Sequence, residues 1–319
     1  MKHIVTIGGG TGSYTVLSGL KNLENVSLTA LVSMADDGGS TGVLRKKWKV
    51  MPAGDVRQCL VALSNQEFLN HRIIYGFWGF FKGHKVGNIF LALLEKITGD
   101  FTRGLKILSF VFNAKGKIVP MTKDEAVLQV TFRGGKQIVG ENNIDTASFP
   151  DEVEEISYTS SVKINPEAHK AILNADYIIL GPGNLYCSLI PNFIVSGFKE
   201  SLKESRAKII FIMNLVNKQG HTMNWSTKKY IDFIEKYLGK NVDFYLINKE
   251  EFLKEQRERY SADAGEEIFI KEDYEDPRII KGDLLLNKIF IQNTDDNVKR
   301  SLIRHDSIKL AKAIAKIIS

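Results

Sequence analysis

The stretch Asp176-Tyr177-Ile178-Ile179-Leu180-Gly181-Pro182-Gly183-Asn184-Leu185-Tyr186-Cys187-Ser188 decides how this chain is read. Asp176 to Leu180 reads as a buried strand, and Leu189 to Lys203 beyond it has a helical pattern. A strand, a glycine-rich turn and a helix start together present backbone N–H groups to an anion, and the helix dipole adds to the attraction. The N-terminus repeats the arrangement. Ile4-Val5-Thr6-Ile7 runs into Gly8-Gly9-Gly10-Thr11-Gly12, and Val16, Leu17, Leu20 and Leu23 continue with helical spacing. Two such turns in one chain predict a ligand that carries phosphates, most simply a nucleotide.

Working outward, short β-branched or aromatic runs at 3–7, 28–33, 176–180, 208–214 and 242–247 alternate with helical patterns. The helical patterns cover 13–23, 55–64, 87–98, 167–174, 185–203, 226–238 and 305–318. This alternation predicts an α/β fold: a Rossmann-like, doubly wound, mainly parallel sheet with helices on both faces. Ligands of such folds sit beyond the carboxyl ends of the strands, where both glycine turns fall. Residues from about 110 to 164 break the rhythm. Lys117 to Met121, Ala126 to Phe132 and Gln137 to Gly140 are strand-like, and Arg133-Gly134-Gly135-Lys136 joins the last two as a hairpin. The expected organisation is one domain over 1–319 with a small β-rich insertion at about 110–164. The polar stretch 248–276 is expected at the surface, as a helix and loop or as a flap.

The chain has 319 residues, 44% hydrophobic and 25% charged, which suits a globular protein with a large core. No apolar run approaches the roughly 20 residues of a membrane helix. Met1 leads directly into the first strand and glycine turn, so no signal peptide is expected. Cys59 and Cys187 are too few for a disulfide framework or a metal quartet, and a cytoplasmic location is expected. The net charge is +6, with basic residues gathered at Arg45–Lys49, Arg72–Lys85 and Lys299–Lys316. They are interspersed with acids, so a basic cleft for a small anion accounts for them better than nucleic acid does.

Gly8 to Gly12 departs from the dinucleotide fingerprint, because Ser13 stands where the third glycine belongs. That argues against a nicotinamide-dependent oxidoreductase and for a general phosphate contact through Gly9, Gly10, Thr11 and Gly12. Met34-Ala35-Asp36-Asp37-Gly38-Gly39-Ser40-Thr41-Gly42 follows the second strand. Asp36 and Asp37 are the candidate catalytic or metal-binding acids, suited to Mg²⁺, a ribose hydroxyl or an acceptor hydroxyl, while an Asx turn would explain them structurally. Gly39 and Ser40 are candidate ligand contacts. Asp55 reads equally as a helix cap or a ligand contact, and Arg57 one turn inside suits a phosphate. Asn88 is a cap or a base- or sugar-binding amide, and His84 lacks a partner in sequence. In the second turn Gly181, Gly183, Asn184 and Ser188 are candidate phosphate contacts. Cys187 reads as a packed small residue, not a nucleophile. Arg304-His305-Asp306 opens the last helix, where Asp306 suits a cap and Arg304 a diphosphate clamp. No P-loop, no nucleophile elbow and no metal-spaced cysteine and histidine set is present.

Taken together, Gly8–Gly12, Ala35-Asp-Asp-Gly-Gly-Ser-Thr-Gly42, Gly54-Asp-Val-Arg57, Gly87-Asn88, Gly181-Pro-Gly183 and Arg304-His-Asp306 resemble the YvcK-like gluconeogenesis factors. These are relatives of the CofD 2-phospholactate transferases. The resemblance covers essentially the whole chain. Asn184 departs from the serine usual after Gly-Pro-Gly, Cys187 from a hydroxyl residue, Ala53 from proline and Gln58 from asparagine. The resemblance implies a Rossmann-like fold and a UDP-sugar ligand such as UDP-N-acetylglucosamine, in a regulatory role in carbon metabolism and cell shape. The transferase branch implies Mg²⁺ and transfer of a phospholactyl group from a guanosine diphosphate donor to a deazaflavin hydroxyl. Gly54-Asp-Val-Arg57 looks more like the regulatory branch. A homodimer is the expected assembly.

Overall fold

The computed structural model describes residues 1–65, 86–287 and 303–319. Its centre is built from the apolar runs. β1 (Lys2–Gly8), β2 (Val26–Val32), β3 (Lys117–Pro120), β7 (Tyr177–Leu180), β8 (Lys208–Ile212), β9 (Phe244–Asn248) and β10 (Ile279–Gly282) form one seven-stranded sheet. Its order is β10-β9-β8-β7-β1-β2-β3, and every pairing is parallel. Ile4 is opposite Leu28 on one side and Tyr177 on the other.

Side chains alternate between the two faces, and each face has its own core. Ile7, Ile178, Leu180, Ile209 and Phe211 face one cluster, while Ile4, Ile179, Ile210 and Ile212 face the other. On the second face lie the first helix, α1 (Thr11–Leu20), α3 (Gly54–Leu63) and the last helix, α12 (Ser307–Ile318). Asp306 caps that last helix, accepting from the N–H groups of Ile308 at 2.8 Å and Lys309 at 2.9 Å. The sheet winds outward from β1 in both directions. The chain first visits β2 and β3, then crosses to β7 and continues away to β10. The switch point is therefore the β1–β7 junction, where an α/β sheet opens a ligand crevice.

The expected doubly wound sheet is present, with differences in detail. Lys117 to Pro120 pairs with β2 as the edge of the main sheet, because its buried Ile118 and Val119 serve the main cores. The inserted sheet is instead β5-β4-β6, from β4 (Leu128–Phe132), β5 (Gln137–Val139) and β6 (Val153–Tyr158). Arg133–Lys136 makes the hairpin between β4 and β5, with Gly135 at φ +77°. The expected helix over 185–203 is broken into a π turn (Leu185–Leu189), α8 (Ile190–Phe193) and α9 (Phe198–Glu204). Gly197 at φ +92° separates the last two. A helix (α2) spans Gly39–Trp48 where a glycine loop was expected, and a short one (α6) spans Glu141–Thr146 in the insertion. The basic stretch Arg72–Lys85, with His84, lies outside the described residues.

Candidate functional site

β1 and β7 are neighbours, so their two glycine turns end side by side at the carboxyl edge. They are in direct contact. A Cβ on Gly12 would lie 1.7 Å from the Pro182 carbonyl oxygen, so only glycine lets the first helix begin this close to the second loop. A Cβ on Gly10 would fall 2.4 Å from Asp55 Oδ1 and 2.2 Å from Gln58 Nε2. Ser188 Oγ stands against Gly9 in the same way. Thr11 donates to Gln58 Oε1 at 3.1 Å. Asp55 is not the cap of α3; Ala53 holds that position, and Asp55 in the first helical turn faces the glycine turn.

The second loop is held by a residue that the sequence reading passed over. Asn214, just past β8, accepts from the Gly183 N–H at 3.1 Å and donates to the Gly183 carbonyl at 2.9 Å. Asn184 accepts from the Tyr186 N–H at 3.1 Å and donates to Asp145 Oδ1 at 2.7 Å. Asp145 also forms an ion pair with Lys218, whose ammonium donates to the Asp145 carbonyl at 2.8 Å. The rule that ligands gather beyond strand carboxyl ends would have pointed to Asn214 and Lys218. Glu141 and Asp145, on a short helix within a β insertion, had no comparable signal.

Asp36 is half-buried and accepts from the Gly38 N–H at 3.0 Å. Burial pushes its carboxyl above the usual carboxylate range, and the Asp37 charge adds to the push. Asp37 binds the insertion. Its oxygens accept from the N–H groups of Asn142 at 2.8 Å and Glu141 at 3.2 Å, so it caps the helix Glu141–Thr146. That short helix thus bridges the site, fixed at its start by Asp37 and at Asp145 by Asn184 and Lys218. Gly39 opens its own helix at φ +43° with open space beside it.

Arg57 and Asn88 are both buried and paired, the guanidinium Nε donating to Asn88 Oδ1 at 2.9 Å. Asn88 in turn donates to Ser40 Oγ at 3.4 Å. These residues tie α2, α3 and α4 (Val86–Thr98) together behind the acids. Arg304 stands where the last helix approaches. Its carbonyl accepts from the Leu286 N–H at 2.9 Å, while buried His305 bridges Leu285. The edge therefore unites Gly9, Gly10, Gly12, Asp36, Asp37, Gly183, Asn184 and Ser188.

Carboxylates dominate the electrostatics. Burial raises Glu141 well above the usual range, and the charges of Asp36, Asp55, Asp145 and Asp37 raise it further. Glu141, Asp145 and Cys187 place one potential ligand atom each within 4.8 Å of one another. Burial and the neighbouring acids also push the Cys187 thiol far up, which keeps it protonated at neutral pH. The protonated thiol makes this no thiolate centre, and Asp145 Oδ1 already takes the Lys218 ammonium and the Asn184 amide.

A pH dependence follows. The folded chain keeps a proton on Glu141 where the unfolded chain has already lost it. Stability from this site is present at low pH and falls as pH rises from about 4.3 through the folded pKa. Thermal unfolding of Glu141→Gln should decline less than wild type between about pH 5 and 7. Equal slopes would place Glu141 in an ordinary environment.

The CofD family profile, described as 2-phospho-L-lactate transferase CofD, matches residues 4–285. A putative gluconeogenesis factor of Thermotoga maritima is 39% identical over 98% of both chains. The gluconeogenesis factor of Bacillus subtilis is 31% identical over 99% of this chain and 98% of its own length. A crystal structure of a UPF0052 family protein from Bacillus halodurans superposes with a TM-score of 0.85 and 32% identity, covering 98% of this chain and 99% of that one. No helix among the described residues is long and apolar enough to cross a membrane.

Proposed function

This chain belongs to the CofD family, in which its full-length relatives are gluconeogenesis factors, and we propose that it binds a UDP-sugar such as UDP-N-acetylglucosamine in a regulatory role. The observation that carries this reading is the contact of Gly12 with the Pro182 carbonyl. It makes the two glycine turns one continuous surface at the switch point of the sheet. A diphosphate on that surface lies against two helix starts, which favour negative charge. The acids behind it suit the hydroxyls of a sugar or ribose. Regulation of carbon metabolism and cell shape, and a cytoplasmic homodimer, complete the proposal.

Native mass spectrometry of the purified protein with its co-purifying ligand is the test. A bound mass matching an intact UDP-sugar supports the reading, and a guanosine or deazaflavin species overturns it.

One observation favours a second reading, a Mg²⁺-dependent transferase using a nucleotide-diphosphate donor. Asp36 and Glu141 are oxygen donors with raised carboxyl pKa values, and neighbouring acids would draw in a hard cation. They fit Mg²⁺, which would supply electrophilic help to a diphosphate. Asp36 or Asp37 would then orient or deprotonate the acceptor hydroxyl. Donor consumption that needs Mg²⁺ and is lost in Asp36→Asn would select this reading.

Arg304 provides a further check. Arg304→Glu should weaken UDP-sugar binding more than tenfold, about 1.4 kcal/mol, with Arg304→Lys in between. Wild-type affinity in Arg304→Glu would remove Arg304 from the site.

A further inference from the structure

A groove of about 700 Å³ lies between the last helix and the β9–β10 end of the sheet. It is well away from the glycine turns, which end β1 and β7. Its floor is aliphatic and aromatic, with the partly buried Phe244, Ile280 and Ile317 over the core residue Leu246. Its rim is lysine. Exposed Lys249, Lys312 and Lys316 make no carboxylate contact among the described residues. Lys309 and Lys281 are neutralised locally, by Asp283 and Glu272 respectively. Three ammonium groups with no carboxylate partner among the described residues leave a net positive rim around an apolar trough.

We propose that this groove docks an acidic peptide segment of a partner protein, with apolar side chains on the floor and carboxylates at Lys249, Lys312 and Lys316. Charge complementarity selects an acidic occupant, and the volume far exceeds that of a single small anion. The floor decides against nucleic acid. Single strands are held by aromatic platforms on which bases stack, whereas this groove is lined by a single aromatic, Phe244. The concave shape suits an extended chain better than a flat lipid surface.

The test measures fluorescence polarisation of a short labelled peptide of alternating glutamate and leucine. Binding should be saturable and should weaken steeply with salt. The triple variant Lys249→Glu, Lys312→Glu, Lys316→Glu should lose at least tenfold in affinity. Ile280→Ser should also weaken binding, and a peptide of alternating glutamate and serine should bind poorly. Circular dichroism and UDP-sugar affinity like those of wild type in the triple variant would show that fold and glycine turns are intact, so this test stands apart from the proposed function. No wild-type binding would overturn the docking site, as would wild-type affinity in the triple variant. Equal binding of the serine peptide, or stronger binding to anionic phospholipid vesicles or single-stranded DNA, would also overturn it.

Discussion

Gly12→Val is expected to destabilise the protein by roughly 3–5 kcal/mol, the scale of severe overpacking combined with backbone displacement. Even the first carbon of a side chain would sit 1.7 Å from the Pro182 carbonyl oxygen, and that partner is main chain, with no rotamer to move away. Relief requires separating the first helix from the Gly-Pro-Gly loop, which opens the β1–β7 junction. Chemical denaturation should give a much lower midpoint, and any folded fraction should bind UDP-sugar poorly. Gly39→Ala is the contrast. Open space surrounds Gly39, so the only cost is its φ of +43°, about 1 kcal/mol. A Gly12→Val protein as stable as wild type would mean that the two turns are not in contact.

The second large effect is on binding. Asn214→Ala removes both hydrogen bonds that bracket Gly183. Gly183 is only partly buried, so water replaces the lost partner, and the loop is no longer fixed in its present conformation. If that conformation is the one that receives the diphosphate, affinity falls by about a hundredfold, close to 3 kcal/mol. Asn214 lies past the end of β8, and the buried Tyr230 hydroxyl that also contacts it keeps Asn217 and Thr222 as partners, so the fold should survive. Calorimetric affinities of wild type and Asn214→Ala decide this. Equal affinities would show that the Gly183 loop does not hold ligand.

The parallel sheet was legible in sequence because its strands are short continuous apolar runs, buried on both faces. Tyr177 to Leu180 and Lys208 to Ile212 are of this kind. Val153 to Tyr158 was missed because it reads Val-Glu-Glu-Ile-Ser-Tyr, with one face of the inserted sheet open to solvent. Ile279 to Gly282 was missed because an edge strand needs few apolar residues. Lys117 to Pro120 was recognised as a strand, but sequence says nothing about which sheet a strand joins. At the site, the glycine turns and paired acids announced themselves through composition. Their partners did not. Asp145 acts through a single side chain brought in from a distant segment with no local pattern to mark it, while Asn214 and Lys218 are marked only by their place past the end of β8. The same limit applies to Asp37. Its role in capping the inserted helix appears only when residue 37 meets residues 141 and 142 in space.

The decisive measurement is isothermal titration calorimetry of the wild-type protein with UDP-N-acetylglucosamine, with and without Mg²⁺. Saturable binding at one site per chain is expected, with the sugar nucleotide recovered intact afterwards. Absence of any binding heat, together with no shift in thermal unfolding at saturating UDP-N-acetylglucosamine, would contradict it.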